Sequence, residues 1–406
     1  MSTPLATPEA APGKRGPYLT LSLVAASHSV NHMFAALMPI IYPPAMDFFG
    51  FSYAQLGIMV GIGNTIMSLM QGVFGFLTGK VLRRVLLGLG SILLAVSMSL
   101  MSLSGSFLPF FLLNILARVS GSPQHPVGNS LVAESFGKKL RGTAFAVNFA
   151  GGNAGTLLIP SLGTLALAYL GWRGVLQIFA VIPLIIGLLT IFLIPEVKKA
   201  QSGENREKGA RSAGRAFLAP LKERNIFFVV LAATVAAGGR GIGVVMTYVP
   251  LYFQKGLNLN PVTYATLFTI LMIGSVVGPL TIGKISDIIG RKRTVVTTYI
   301  LSLLSMLALI SVGHNVPLLI LVAIFMGLVV YSQSSQIQAF LADVTRKEMR
   351  DMAYSVFFTI SYLAGAVWAY GLGLSIDRFG FKGAFILMAI SYLGGTLAIL
   401  PARSRE

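Results

Sequence analysis

Residues 283–293 read GKISDIIGRKR, between two apolar stretches that are each long enough to cross a bilayer. The features of this loop are Gly283, Asp287, Gly290, Arg291 and Lys292. A glycine lets two helices approach closely, and an aspartate at a membrane edge is stabilised by helix N-termini and arginines. We therefore predict a gating loop whose charges hold one conformation and release it in another. The alternative is a simple turn that anchors basic residues at the membrane surface.

Apolar stretches continue along nearly the whole chain of 406 residues, which is 55% hydrophobic and 11% charged, with a mean hydropathy of +0.78. That is more apolar surface than one soluble core of this length can hide. The stretches are roughly 20 residues long, the length that crosses a ~30 Å hydrocarbon layer as a helix. These numbers exclude a soluble enzyme. The chain has no cysteine, so disulfides and thiolate metal sites are excluded too.

A hydropathy window of about 19 residues predicts twelve transmembrane helices, and hence an all-α membrane protein. The predicted spans are residues 18–42, 53–78, 86–103, 107–133, 142–169, 175–194, 226–253, 263–283, 295–312, 316–341, 352–376 and 383–400. The predicted domains are a disordered cytoplasmic tail (1–17), an N-terminal six-helix bundle (18–195), a cytoplasmic linker (196–225) and a C-terminal six-helix bundle with a short tail (226–406).

The net charge of +18 is distributed unevenly along the chain. Most Lys and Arg residues lie in alternate inter-span segments, as the positive-inside rule expects of cytoplasmic loops. This distribution predicts a multi-pass protein of the inner (plasma) membrane with both termini in the cytoplasm. It explains the charge without a nucleic-acid partner. The N-terminal tail lacks a cleavage site after a short apolar core, so we interpret it as a tail rather than a signal peptide.

An internal repeat relates the two groups of six spans. Shifting the chain by about 209 positions places Glu134 and Arg141 on Asp343 and Arg350. Transporters are commonly built from such duplicated halves. We predict two pseudo-symmetric bundles, with these four residues making charge contacts at the cytoplasmic ends of the spans.

Residues 283–293 resemble the loop signature of the major facilitator superfamily, and twelve spans in two linked copies resemble that superfamily over nearly the whole chain. The resemblance implies the major facilitator fold and a secondary transporter that works by alternating access. The equivalent loop of the first half, GFLTGKVLRR from Gly75, has Gly79 where the signature has its aspartate. We therefore expect Asp287 and its basic neighbours to carry more of the gating.

Two arginines lie inside predicted spans. A charge near mid-bilayer costs at least ~2.5 kcal/mol, so Arg118 on the fourth span should face a polar cavity. It resembles the fourth-span arginine of the superfamily, which in relatives is linked to proton coupling or substrate binding. A structural arginine bonded to backbone carbonyls is the alternative. Arg240 lies in the centre of the seventh span among glycines that weaken the helix, and the repeat places it on Asn31.

The first span carries polar residues in the sequence SHSVNH. His28 and His32 share a helix face with Asn31 beside them, and His125 on the fourth span is a candidate for the same cavity. An imidazole, with an ordinary pKa near ~6.5, is a natural proton carrier or substrate donor. A three-histidine metal site and inert packing residues are the alternatives. We expect no metal or other cofactor, with a proton gradient as the driving force.

Two short segments resemble a particular branch of the superfamily. The first span ending in PIIYP, together with HPVG on the fourth span, resembles the fosmidomycin-resistance branch, whose members look like proton-driven exporters. The fifth-span sequence GGNAGTLLIPSLG, residues 151–163, is similar to a signature associated with exporters. Ordinary close packing of glycine-rich helices explains that sequence equally well.

No predicted span has Asp or Glu near its middle, so a cavity lined by arginines and histidines is electropositive. Gln333 and Gln336 on the tenth span either add hydrogen-bonding groups to this cavity or bond between helices. The sequence predicts a monomeric, proton-coupled exporter of a small anionic or polar compound, such as a phosphonate-like drug. Uptake or exchange of a carboxylate is the alternative. A membrane enzyme would need a nucleophile and base, or a metal cluster, at one depth, and a sensor would be expected to carry a soluble domain.

Overall fold

The structure is a computed structural model that describes residues 16–78, 80–195, 217–346 and 349–403. Residues 1–15 of the predicted tail, Gly79, and residues 196–216 of the predicted linker lie outside this part of the chain. Gly16 and Pro17, predicted to belong to the tail, are the first residues of a helix instead. Proline fits there because the first turn of a helix does not need its N–H.

The described chain is almost entirely helical. In the first half, the first three spans are Gly16–Phe49, Tyr53–Leu77 and Arg83–Ser102. The fourth consists of Phe107–Ser120, Gln124–Gly128 and Asn129–Ser135, and the fifth and sixth together form Lys138–Leu193. In the second half, the seventh span consists of Arg224–Val235, Ala236–Gly239, Gly241–Val245, Met246–Leu251 and Tyr252–Gly256; the eighth is Pro261–Ile289, the ninth Arg291–Val312, the tenth Val316–Val330 with Gln333–Val344, and the last two together form Arg350–Ile399. A short 3₁₀ turn, Ala219–Lys222, precedes the seventh span.

Nine helical stretches in the described residues are long and apolar enough to cross a membrane. Two of them, Lys138–Leu193 and Arg350–Ile399, contain one non-helical residue each, Gly171 and Gly380, where the chain turns back, so each crosses twice. The fourth span completes the count because it is a helix interrupted by the π-helical turn Gln124–Gly128. The prediction of twelve spans is confirmed.

Gly171 and Gly380 also display the repeat, since they are 209 positions apart. Their φ angles are 63° and 70°, in the left-handed region that side chains with a Cβ rarely adopt. Both halves therefore reverse direction between their fifth and sixth spans by the same backbone device. This agreement supports duplication of one six-helix unit.

The two ends of the molecule are distinguished by their charges. Gly16 lies beside Pro195, and the Arg403 N–H donates to Asn225 Oδ1 at 2.9 Å, so both ends of the described chain lie at one end of the bundle. Most of the basic residues lie there, and we name it the basic end. The opposite end, which holds Asp47 and Asp377, is the far end.

The two halves are joined at the far end. The Asp377 carboxylate, at the end of the eleventh span, accepts hydrogen bonds from the backbone N–H of Tyr53 (3.0 Å) and of Ala54 (2.8 Å). These N–H groups open the second-span helix, so a residue of one half caps a helix of the other. Lys255 also forms an ion pair with Asp47 across the halves.

The second span changes environment along its length. Near the far end it packs closely on the eleventh span, where a Cβ at Gly61 would lie 2.9 Å from Ala366 Cα. Met59 in this region is fully buried, whereas Leu69 and Val73, nearer the basic end, are 59% and 45% exposed. The cleft between the halves is therefore closed at the far end and open at the basic end.

Candidate functional site

Arg118 is held by three neutral side chains. Its Nη2 donates to Tyr42 OH at 2.7 Å, its Nη1 to Asn64 Oδ1 at 2.7 Å, and its Nε to Asn114 Oδ1 at 3.1 Å. These partners are side-chain oxygens rather than the backbone carbonyls of the structural alternative. They orient the guanidinium without neutralising it, because none of them is charged.

Local sequence explains why Arg118 can reach these partners. Asn114 lies one turn earlier on the same helix face. On the second span, Gly63 makes room, because a Cβ there would lie 2.3 Å from Arg118 Cδ. Tyr42 was predicted to end the first span, but the helix continues to Phe49 and Tyr42 is 1% exposed inside it.

The seventh span is broken at Arg240. Its backbone there is extended (φ −60°, ψ 126°), and Gly243 follows with φ +99°. The Arg240 Nη2 donates to the Ser361 carbonyl at 3.0 Å, and the guanidinium carbon lies 4.7 Å from the ring centre of Tyr362. A cation stacked on an aromatic face is stabilised by the ring quadrupole. Irregular backbone at membrane depth is tolerated where it lines a cavity.

The glycines around Arg240 are required by their neighbours. A Cβ at Gly239 would lie 2.0 Å from the Tyr392 ring, and one at Gly241 would lie 2.9 Å from the Tyr331 ring. Each glycine therefore gives an aromatic ring access to the seventh-span backbone. The space beside Gly239 and Gly241 is therefore occupied by tyrosine rings of other spans.

Asn64 connects Arg118 to a pocket that Arg240 lines. One pocket is lined by Asn64, Arg240, Gly243, Val244, Tyr362, Gly365, Ala366 and Ala369. Asn64 bonds Arg118 on one side, and its Nδ2 would lie 3.1 Å from a Cβ at Gly243 on the other. In the described spans, carboxylates occur only towards the helix ends, so the centre of the molecule is electropositive.

The three predicted histidines form a cluster. The ring centres of His28 and His32 are 4.7 Å apart, and those of His28 and His125 are 5.4 Å apart. His28 is 2% exposed, whereas His125 is exposed and His32 is half-buried. His125 lies seven residues beyond Arg118, roughly 10 Å at 1.5 Å per residue, towards the basic end. The cluster is therefore close to the arginine site but separate from it.

The hydrogen bonds of this cluster define how protons are held. His28 Nδ1 lies 3.1 Å from the Asn148 carbonyl oxygen, which can only accept, so Nδ1 carries a hydrogen. His28 Nε2 is buried and has no hydrogen-bond partner among the residues that the structure describes. His32 Nδ1 lies 3.2 Å from Thr156 Oγ1. The described residues contain no group of three or more His, Cys, Asp or Glu side chains placed to hold a metal ion.

The fifth-span glycines pack against the first span beside these histidines. A Cβ at Gly152 would lie 3.0 Å from the His28 ring, and one at Gly155 would lie 2.2 Å from the Ser29 carbonyl oxygen. The close-packing interpretation of residues 151–163 therefore holds. The same packing places the His28 ring beside the Asn148 carbonyl oxygen.

Three other candidates form no hydrogen bond with Arg118 or Arg240 in the described part of the chain. Asn31 donates to the Ser27 carbonyl at 2.8 Å, and its Oδ1 faces Gly121, three residues beyond Arg118. Gln333 donates to Ser302 on the ninth span at 2.7 Å, as in the interhelical alternative. Gln336 is 2% exposed and donates from its Nε2 to Ser335 Oγ at 3.3 Å, and its Oε1 has no partner within the described ranges.

The gating-loop residues make contacts within their own half. Arg291 lies 2.5 Å from Asp287 and 3.8 Å from Asp343, and Lys292 donates to the Leu400 carbonyl at 2.6 Å. Gly290 has φ +94°, which permits the turn between the eighth and ninth helices. The loop thus ties the eighth, ninth, tenth and twelfth spans together at the basic end.

The first half has a matching ion pair at this end. Arg83 pairs with Glu134, the repeat partner of Asp343, even though Gly79 replaces the loop aspartate. The other two predicted charge contacts are hydrogen bonds to backbone: Arg141 donates to the Phe136 carbonyl at 3.3 Å, and Arg350 to the Ala342 carbonyl at 3.2 Å. Both halves therefore carry a charge contact here.

Four site residues were missed from the sequence: Tyr42, Asn64, Asn114 and Tyr362. Asn64 and Asn114 had a usable signal, because an amide inside an apolar span needs a partner. Tyr42 and Tyr362 had none, since tyrosines are common near the ends of spans and in apolar cores.

Twelve spans in two repeated bundles, with an arginine-lined site between them, define a multi-pass membrane transporter. The chain belongs to the Major Facilitator Superfamily, whose family model matches residues 24–266 and 229–406. It is 24% identical over 394 residues to the fosmidomycin resistance protein of Escherichia coli (strain K12), covering 95% of this chain and 93% of that protein. It is 26% identical over 407 residues to a gallate transporter of Pseudomonas putida, covering 90% and 87%.

Solved structures show the same fold. The crystal structure of the nucleoside transporter NupG matches with a TM-score of 0.78 at 15% identity, over 96% of this chain and all of that one. A bacterial homolog of the human lysosomal transporter Spinster matches with a TM-score of 0.70 at 15% identity, over 96% of both chains. These relatives are transporters, so the protein is a secondary transporter and not an enzyme.

Proposed function

We propose that this protein is a proton-coupled exporter of small anionic compounds. The observation that carries the proposal is the convergence of Arg118 and Arg240, one from each half, on Asn64. A site between the halves can be exposed to either side of the membrane in turn as the bundles rock. The substrate would be held by both arginines, and its charge would offset theirs.

Electrostatics supports an anion. Arg118 has only neutral partners, and Arg240 has a carbonyl and an aromatic face. Charges at membrane depth are costly unless compensated, so two uncompensated guanidinium groups favour binding of a negative solute. A lipophilic cation would be repelled by the same groups.

The histidine cluster supports proton coupling. A proton on any one of His28, His32 and His125 disfavours a second, because the rings are neighbours and no carboxylate among the described residues lies with them. The cluster would therefore exchange one proton at a time. Exposed His125 would meet water in the cleft and pass the proton to buried His28.

Orientation completes the proposal. The basic end would lie in the cytoplasm, by the positive-inside rule, in the inner (plasma) membrane. The cleft would then be open to cytoplasmic substrate. Similarity to the fosmidomycin resistance protein favours export, and the protein would act as a monomer, since the site lies between two halves of one chain.

Uptake or exchange of a carboxylate is the second candidate. It is favoured by similarity to the gallate transporter and to a probable hexose phosphate transport protein of Chlamydia trachomatis, 23% identical over 384 residues. Gallate and hexose phosphates are anions at neutral pH. The same arginine site would serve them.

Purified protein in liposomes with an imposed pH gradient would test both candidates. We expect gallate, hexose phosphate or fosmidomycin to move against its own gradient, with a matching change of the internal pH read by an enclosed dye. Counter-movement of protons and substrate supports export, and movement in the same direction supports uptake. If only cationic dyes are moved, and the internal pH stays constant, the anion and the proton proposals both fail.

A further inference from the structure

Asn64 lies between the two arginines but on the second span, not on the first, fourth or seventh spans that carry the polar residues discussed above. Two glycines on the same span determine its position. Gly61 packs against the eleventh span, and Gly63 admits the Arg118 side chain. The second span therefore brings one amide to the meeting point of the two halves.

The hydrogen bonds fix which way this amide points. Arg118 can only donate, so the atom of Asn64 that receives its Nη1–H is the amide oxygen. The NH₂ group must then point away from Arg118, towards Gly243 and the pocket that Arg240 lines. Among the described residues, Asn64 Nδ2 has no acceptor, and the side chain is half-buried rather than exposed.

Arg118 itself has donors to spare. A guanidinium carries five N–H groups, and one each on Nε, Nη1 and Nη2 is engaged by protein oxygens. One N–H therefore remains on each terminal nitrogen. Asn64 and Arg240 line one pocket together, and Arg118 is bonded directly to Asn64.

We propose that Asn64 is a substrate-binding residue whose NH₂ group donates to an oxyanion bound between Arg118 and Arg240. The ligand class is a compact oxyanion with at least two acceptor oxygens, a carboxylate or a phosphonate, on an apolar body. The body would lie against Tyr362 and Ala366, which line the same pocket. This inference rests on the proposed function and adds that the second span takes part in recognition.

The first test measures binding to purified protein by calorimetry, with benzoate, methylphosphonate and the neutral analogue benzamide as probes. Asn64→Asp keeps an oxygen for Arg118 but replaces the NH₂ donor by a second oxygen. We expect benzoate binding to weaken at least tenfold in this variant, whereas benzamide binding is retained or improves, because its own NH₂ meets the new carboxylate. Asn64→Leu removes the donor without adding a charge, and it should also weaken benzoate binding more than benzamide binding. Equal weakening of both probes by Asn64→Leu would indicate a purely structural role.

Ser68→Ala is the matched control, because Ser68 lies one turn further along the same span and bonds only the Asn64 backbone carbonyl. Its affinities should stay within about twofold of wild type. Equal benzoate affinity in wild type and Asn64→Asp would overturn the inference while leaving the proposed function standing. Binding of neither oxyanion by wild type would remove both.

A second test does not need a bound ligand. The chain has no cysteine, so Asn64→Cys creates a single thiol that reports the local potential. For each thiol, the preference is the modification rate with an anionic methanethiosulfonate divided by the rate with the cationic reagent. We expect this preference to be at least tenfold larger for the Asn64→Cys thiol than for the Ser68→Cys thiol. The preference should fall when Arg240→Gln is added. Equal preferences at positions 64 and 68, or an unreactive thiol at 64, would contradict an anion site beside Asn64.

Discussion

The first and seventh spans occupy equivalent places in the two halves, but they are built differently. The first is one helix of 34 residues that runs through Pro39, Pro43 and Pro44. The seventh has no proline near its break, and yet it is divided at Arg240. Proline accepts the helical φ and removes one hydrogen bond, whereas Gly243 at φ +99° leaves the helical region altogether. Glycine, not proline, therefore opens the helix in the seventh span.

The continuous first span and the broken seventh span suit different roles. The continuous first span presents histidines that glycines of the fifth span hold in place, so its polar groups are fixed relative to the N-terminal half. The broken seventh span carries Arg240 on a backbone that is not helical at this point. We interpret the N-terminal half as the proton-handling half and the seventh span as the part whose geometry changes with substrate.

The largest expected effect comes from removing the Arg118 charge. Arg118→Gln loses the guanidinium that binds Tyr42, Asn64 and Asn114, and charged hydrogen bonds contribute about 1.5–3 kcal/mol each. We expect transport in liposomes to fall at least about 100-fold, with a normal yield of monodisperse protein. Arg173→Gln, which removes an arginine bonded to the Ser104 carbonyl at the far end, should stay within about twofold of wild type. Full activity of Arg118→Gln would remove this arginine from the site.

A methyl group at the break tests the seventh span directly. Gly243→Ala must either adopt φ +99° at a cost of about 1–2 kcal/mol or straighten the helix, and its Cβ would approach Asn64 Nδ2 at 3.1 Å. We expect a loss of transport of about 10- to 30-fold. Gly371→Ala on the eleventh span has open space and no positive φ, so it is the control. If both variants transport equally, the break has no role in the cycle.

Substitution in the first span should separate coupling from binding. His28→Gln retains a donor for the Asn148 carbonyl but cannot carry a proton. We expect uphill transport driven by a pH gradient to fall about tenfold, while downhill substrate exchange continues. His314→Gln, at a histidine that contacts the Leu257 carbonyl near the far end, should leave both rates unchanged. Equal loss of uphill and downhill transport would point to a packing role for His28.

The smallest effect is expected at the far-end closure. Asp377→Asn leaves one oxygen for the two N–H groups of the second-span helix and removes the charge that favours a helix N-terminus, worth about 0.5–1.5 kcal/mol. In a protein that carries Tyr53→Cys, adding Asp377→Asn should increase the rate at which a thiol reagent added from the far side modifies this cysteine about two- to tenfold. Asp47→Asn breaks an exposed ion pair with Lys255 and should change the rate less, because such pairs contribute little. The reverse ranking would show that the ion pair, not the helix cap, closes this end.

Much of the fold was predictable because the bilayer imposes one simple rule. Every buried backbone group must be paired within a helix, so apolar length alone located the spans. The repeat was predictable because Glu134 and Arg141 recur as Asp343 and Arg350, 209 positions later. The predicted boundaries were less accurate where no polar residue ends a helix, as at Tyr42, which lies seven residues inside the first span.

The site was only partly predictable. Arg118 and Arg240 were recognisable because charges in spans need a cavity, and His28, His32 and His125 do form one cluster. Gln333 looked the same in sequence as a cavity residue, but it bonds Ser302 inside the C-terminal half. In the sequence, a polar residue that faces a neighbouring helix looks the same as one that faces the cavity, because both lie on a helix face turned away from lipid.

The sequence by itself determined that the chain crosses a membrane twelve times, that it is duplicated, and that its centre carries positive charge without carboxylates. These properties depend on residue type and position along the chain, which sequence records directly. Only the tertiary structure decided that Asn64 joins the two arginines, that the seventh span breaks at Arg240, and that the cleft is closed at the far end by Asp377. Each of these depends on which helix faces meet across the two halves, and residues as far apart as Ala54 and Asp377 come together only when the bundles pack.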